Sequence, residues 1–133
     1  MTKRAKDIVP VEGLAKPTGV WSVVTAANPG RMIFVSGLLA KNAAGELIGV
    51  GDMAAQTEQV IANLKQALSS ANATLDDVVR VDVYTRDMTK FSEIHAVRRK
   101  HFPKDPPAST MVEVSRLTDD RALIEITAIA VVP

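Results

Sequence analysis

Histidine is scarce in this chain, which has only His95 and His101 in 133 residues, and His95 is followed at i+3 and i+4 by Arg98 and Arg99. An imidazole can donate, accept or shuttle a proton near neutral pH, and a guanidinium one helical turn on puts a cation on the same face. Ser109 and Thr110 add hydroxyls in a proline-led extended run, and Thr127 adds another in the last apolar stretch. Ser36 precedes Gly37, a residue whose backbone N–H can come close to a ligand's oxygens. Groups of this kind suit addition of water to a polarised carbon. Each also has an ordinary reading: His95 as a helix-surface histidine, Ser109 and Thr110 as packing residues of a strand, and Arg98, Arg99 and Lys100 as a solvated face.

Other chemistries find little to use. Cysteine is absent, so disulfides, thiol nucleophiles and thiolate metal sites are excluded. His95 and His101 are spaced wrongly for helical metal ligands, which sit three or four residues apart; no metal and no cofactor is expected. Ser36-Gly37 lacks the G-x-S-x-G elbow of a hydrolase nucleophile, and Gly45, Gly49 and Gly51 match neither a P-loop nor a dinucleotide fingerprint. Sixteen basic residues against fifteen acidic ones give a net charge of +1, which argues against a dedicated nucleic-acid partner. Met1 to Asp7 is charged with no apolar stretch behind it, and no run reaches the roughly 18 apolar residues of a membrane span. The chain reads as a cytoplasmic protein of one domain, residues 1–133, with no membrane partner.

The elements that must position these groups follow from periodicity. Val20–Ala27, an Asn28-Pro29-Gly30 turn and Met32–Val35 read as a β-hairpin. Asp52 is placed to cap a helix over Met53–Ala71, where Val60, Ile61, Leu64, Ala67, Leu68 and Ala71 keep helical spacing. Val78–Thr85 alternates as a strand, with Val79, Val81 and Val83 opposite Val78, Arg80, Asp82 and Tyr84. A second helix spans about Phe91 to His101 and ends before Pro103, Pro106 and Pro107. Thr110–Arg116 and Ala122–Val132 then form a closing strand pair. The order ββ-α-β-α-ββ predicts an α+β domain, with two helices on one face of a largely antiparallel sheet. Val112, Val114, Ile124, Ile126, Ala128 and Ala130 are assigned to the other face, apolar enough to drive self-association.

Three stretches carry a resemblance: Phe34-Val35-Ser36-Gly37, the run from Pro106 through Leu117, and Ile124–Ala130 reading IEITAIA. Together they resemble the Rid family, also called YjgF-like proteins, whose best-understood members hydrolyse reactive imines and enamines. The likeness runs from about Gly19 to Val131. It implies a chorismate-mutase-like fold, a homotrimer, small-molecule sites in the clefts between subunits, and cofactor-free hydrolysis.

The resemblance also assigns roles. Where catalytic members have an arginine after P-A to grip a substrate carboxylate, this chain has Ser109, and a hydroxyl cannot make a bidentate fork. The family's last-strand glutamate, which orients water, is matched to Thr127, with Glu125 read as facing the other way. The tyrosine near the start is matched by Trp21, and the second helix's asparagine by His95. The implied catalytic groups are therefore His95, Ser109 and Thr127, with Trp21, Ser36, Gly37, Arg98, Arg99, Thr110 and Met111 binding substrate. The substrate is expected to differ from the usual 2-imino acid. The alternative is a trimer that binds a small molecule or serves as a scaffold without catalysis.

Overall fold

The computed structural model describes residues 4–133. Met1 to Lys3 of the charged lead lie outside the described residues. In chain order the elements are β1 (Lys6–Ile8), β2 (Thr25–Ala27), β3 (Arg31–Leu38), α1 (Met53–Ser70), β4 (Val78–Thr85), α2 (Phe91–His101), β5 (Ala108–Glu113) and β6 (Ile124–Val132).

Helix α1 starts where Asp52 caps it, its Oδ1 accepting from Ala55 N at 3.0 Å. Its stripe of Val60, Ile61, Leu64 and Leu68 is wholly buried. Gln56 lies in the same interface, and its amide group is fully used: Nε2 donates to Gly49 O and Arg121 O, and Oε1 accepts from Leu123 N. A buried amide with every partner in place pins the first turn of α1 to the loop that enters β6. At the other end of the helix pair, His101 Nε2 lies 3.0 Å from Glu58 Oε2 and ties α2 to α1.

The main sheet has four strands in the order β3-β6-β4-β5. β6 runs antiparallel to both neighbours, while β4 and β5 are parallel. A parallel pair needs a long crossover, and the segment containing α2 supplies it. Two helices thus cover one face of a mixed, largely antiparallel sheet.

Three expectations are corrected. β2 does not fold back on β3; it pairs with β1 in a separate two-stranded sheet, and the Asn28-Pro29-Gly30 turn sends the chain across to β6 instead. The last two strands are not partners either, since β4 lies between β6 and β5. β6 supplies the interior of the sheet, so Ile124, Ile126, Ala128 and Ala130 face the helices and are almost fully buried rather than on the open face. A register shift between Val78 and Arg80 likewise turns Val78 into the core, leaving Val79 half-buried. The open face instead carries Met32 and Phe34 of β3, exposed at 57% and 69%, with Arg80, Asp82 and Thr110 joined by hydrogen bonds at 2.8 and 2.9 Å.

Candidate functional site

Three segments converge between α2 and β5. The stretch before β2 runs alongside β5: Ser22 N donates to Pro107 O at 3.1 Å and Ser22 Oγ donates to Pro106 O at 2.5 Å. This anchors Trp21. From α2, the buried positions Ile94 and Val97 fix which side faces inward, and that side includes His95 and Arg98. From β5, Ser109 and Met111 sit opposite Val81 and Val83, whose side chains point into the core, so they share the helix-bearing face. The result is a cavity of about 220 Å³ walled by Trp21, Phe91, His95, Arg98, Ser109 and Met111.

Arg98 dominates its electrostatics. Its residue is 3% exposed, and Nη2 donates to Val20 O at 3.1 Å and to Ser109 Oγ at 2.9 Å. Both partners are neutral. Burial lowers the guanidinium's pKa to about 10, and desolvation is its only cause. No carboxylate among the described residues forms an ion pair with it. A buried cation is ordinarily paired with a counter-charge, and this one has only neutral partners among the described residues. Arg99, one residue on, is exposed and does not line the cavity.

His95 is held on every side. Val20 N–H donates to its Nε2 at 3.1 Å, and Phe91, one turn earlier, stacks on the ring with centroids 4.9 Å apart. A side chain at Gly19 would lie 2.4 Å from Cε1, so this position must be glycine for the ring to sit where it does. Burial first, then the charges of Arg98 and Arg99, lower the pKa of the imidazole. Nδ1 is buried and has no hydrogen-bond partner.

The remaining expected groups lie elsewhere in the subunit. Thr110 is exposed on the open face, where its Oγ1 accepts from Arg80. Ser36 and Gly37 occupy an irregular stretch of β3 between the Val35 and Leu38 pairings. The alternation of β6 corrects the reading of Glu125: it stands two residues before Thr127, and the two share one face, both partly buried. The Glu125 carboxylate lies directly against Gly37, where a Cβ would meet Oε2 at 2.3 Å. So the expected residues form two groups. One is the α2–β5 cavity, and the other is Ser36, Gly37, Glu125 and Thr127 on β3 and β6.

Two residues were missed. Glu125 was legible from the two-residue period of a strand, and Phe91 from its i,i+4 spacing to His95. Larger hollows include one of about 440 Å³, lined mainly by charged residues near the N-terminal segment, and one of about 530 Å³, lined by mixed polar, charged and apolar residues near the C-terminal ends of the helices. In the smaller of these, Arg4 is paired with Asp105. Among the described residues, no three His, Asp or Glu side chains gather to hold a metal ion, and no helix is long and apolar enough to cross a membrane.

Residues 14–132 match the family model described as endoribonuclease L-PSP. A RutC family protein of Pyrococcus abyssi is 40% identical over 126 residues, covering 95% of this chain and 97% of the relative. The 3-aminoacrylate deaminase RutC of Acinetobacter baylyi is 35% identical, covering 94% and 97%. Among solved structures, the Rid-family protein YyfB of Yersinia pestis superposes with a TM-score of 0.88 at 34% identity, covering 96% of this chain and 98% of that one.

Proposed function

The chain belongs to the endoribonuclease L-PSP family, the YjgF/Rid proteins, and from that membership we propose that it is a cofactor-free deaminase of small imines or enamines. The observation that carries this reading is Arg98, a buried guanidinium with no acidic partner that walls a ligand-sized cavity beside Ser109. The cation comes from the helix rather than from position 109, so a ligand's acid group is gripped along a different line. That geometry favours an enamine acid with nitrogen on the third carbon, the class named for the Acinetobacter relative, over a 2-imino acid.

The chemistry needs few groups. Protonation of the enamine carbon gives an iminium, water adds to the C=N carbon, and the resulting carbinolamine loses ammonia to leave an aldehyde. Arg98 and Ser109 hold the acid group, with Trp21 and Met111 flanking it. The water and its proton need a carboxylate, and Glu125, beside Thr127 and against the backbone of Gly37, is suited to that task.

Glu125 and Arg98 belong to the two separate groups, which lie toward opposite edges of one sheet. We propose that neighbouring copies bring them together. A contact between the β3 side of one copy and the β5 side of the next is heterologous, and such contacts close into rings; a homotrimer with three intersubunit sites meets the requirement. Exposed Met32 and Phe34 supply apolar area for it. The near-neutral charge gives no support to a nucleic-acid partner, and we propose a small-molecule substrate only, in the cytoplasm.

A second reading, a non-catalytic binding trimer, draws on one observation: the lone pair of His95 Nε2 is taken by Val20 N–H, so the cavity itself contains no available base. Ammonia release from 3-aminoacrylate and from amino-acid-oxidase-generated imines, with semicarbazide trapping the unhydrolysed fraction, decides between the two. Acceleration above the spontaneous rate supports the deaminase. No acceleration for any imine or enamine by an intact oligomer overturns it and leaves the binder.

A further inference from the structure

We infer that His95 is a positioning residue: through Val20 it holds residues 19–22, and with them the places of Trp21 and Arg98 in the cavity wall. The inference rests on reading the α2–β5 cavity as the ligand site. A neutral imidazole has one N–H and one lone pair. Val20 N–H donates to Nε2 at 3.1 Å, which takes the lone pair, and Nδ1 is buried. Neither nitrogen is therefore free to act on a ligand, and the ring acts on the backbone instead. Burial and the charges of Arg98 and Arg99 favour its neutral form, the state in which Nε2 can accept. Val20 is itself 4% exposed and lies outside every strand, so no ladder satisfies its N–H; His95 supplies the acceptor that a buried backbone donor needs.

Residues 19–22 are fastened at both ends. Ser22 is fixed to the start of β5 through Pro106 and Pro107. At the other end both backbone groups of Val20 go to α2, its N–H to His95 and its carbonyl to Arg98 Nη2. Trp21 stands between these anchors, and its own N–H reaches only back to Gly19 O, at 3.0 Å. The imidazole is a rigid support for the segment: Phe91 stacks on it, and its Cε1–Nε2 edge lies so near Gly19 that a Cβ there would come within 2.4 Å. Without the acceptor, the Gly19–Val20 peptide holds a buried donor whose desolvation is relieved by turning toward water. That turn takes Gly19 O away from Trp21 N–H and shifts Val20, whose carbonyl is one of the two acceptors of Arg98. One contact from α2 thus sets the indole directly and the guanidinium through Val20.

Trp21 is the only tryptophan of the chain, so in the full chain labelled with 15N-tryptophan its indole N–H gives a signal that reports on this site alone. His95→Gln places an amide oxygen near the Nε2 position and keeps an acceptor for Val20, whereas His95→Leu keeps bulk and removes the acceptor. A single sharp indole signal is expected for the native chain and for His95→Gln, and a broadened or doubled one for His95→Leu. With 3-aminoacrylate as substrate, His95→Leu should raise KM roughly tenfold or more, the scale of a binding group displaced by about an ångström, with kcat little changed; His95→Gln should restore KM toward the native value. Val20→Pro removes the donor in place of the acceptor, and adding His95→Leu to it should move neither readout further. A native indole signal in His95→Leu, a signal as disturbed in His95→Gln as in His95→Leu, or a kcat that collapses in both variants at unchanged KM overturns the inference. The hydrolysis reading fails separately: the expected indole pattern with no turnover of any imine or enamine leaves the positioning role in place and removes the reaction.

Discussion

Arg98 Nη2 stands 2.9 Å from Ser109 Oγ, so the side chain at position 109 is a partner of an arginine rather than an arginine itself. His95 lies one turn earlier on the same buried face. Val20 binds them together: its carbonyl accepts from Arg98 and its N–H donates to His95.

Replacing Arg98 separates function from stability. Arg98→Met keeps the length of the side chain and removes the charge. For an enamine acid, kcat/KM is expected to fall roughly 100-fold, the scale of a lost charge-assisted hydrogen bond. The fold should weaken little, because removing a buried charge that has no counter-ion offsets the partner lost by Val20 O. Steady-state kinetics on the acid and on its amide, with thermal melts alongside, check this. An equal loss for acid and amide would mean that Arg98 does not recognise the acid group.

Glu125 gives the complementary experiment. Glu125→Gln retains the shape against Gly37 and removes the base. It should lower kcat by about 10²- to 10⁴-fold, the usual contribution of a positioned general base, and leave KM nearly unchanged. Thr127→Val removes a hydroxyl on the same face and should cost about tenfold or less. If the threonine variant is the more damaged of the two, Glu125 is not the base.

What the sequence disclosed and what it withheld follow from locality. α1, β4 and α2 fall where their periods and Asp52 place them, because capping and amphipathic spacing act within a few residues. Strand partners were not legible: β3 with β6 and β4 with β5 are long-range choices, decided by where the crossover through α2 returns the chain. The same limit applies at the cavity. Whether Arg98 or Arg99 turns inward is one step of about 100° around the helix, and only the packing of Ile94 and Val97 against the core decides it. Glu125 is different, since strand alternation alone puts it on the face of Thr127.

Assembly has its own test. Phe34, at 69% exposure on β3, is the largest apolar side chain offered to a neighbouring copy. Phe34→Asp puts a charge there and should convert the proposed trimer to monomer in light scattering while leaving the far-ultraviolet circular dichroism unchanged. If the proposed intersubunit site is right, deaminase activity should fall with it, because Glu125 of one copy would then no longer meet Arg98 of another. A monomer with full activity would place the whole site within one chain.

His95 also sets a dependence of stability on pH. Burial first, then Arg98 and Arg99, hold its pKa below the ordinary 6.5. An unfolded chain takes up a proton at that ordinary value, and the folded ring does so only at lower pH. The stability contribution is therefore complete above pH 6.5 and declines as pH falls below it, until the folded ring itself protonates, with a slope of at most about 1.4 kcal/mol per pH unit. Carboxylates with lowered values, such as that of Glu58 beside Lys100 and His101, add their losses at more acid pH. Urea titrations between pH 7.5 and 5.5 should show the decline in the native chain and a flatter profile in His95→Asn. Parallel profiles would mean that the ring is not held neutral, and that the contact from Val20 N–H does not fix its protonation.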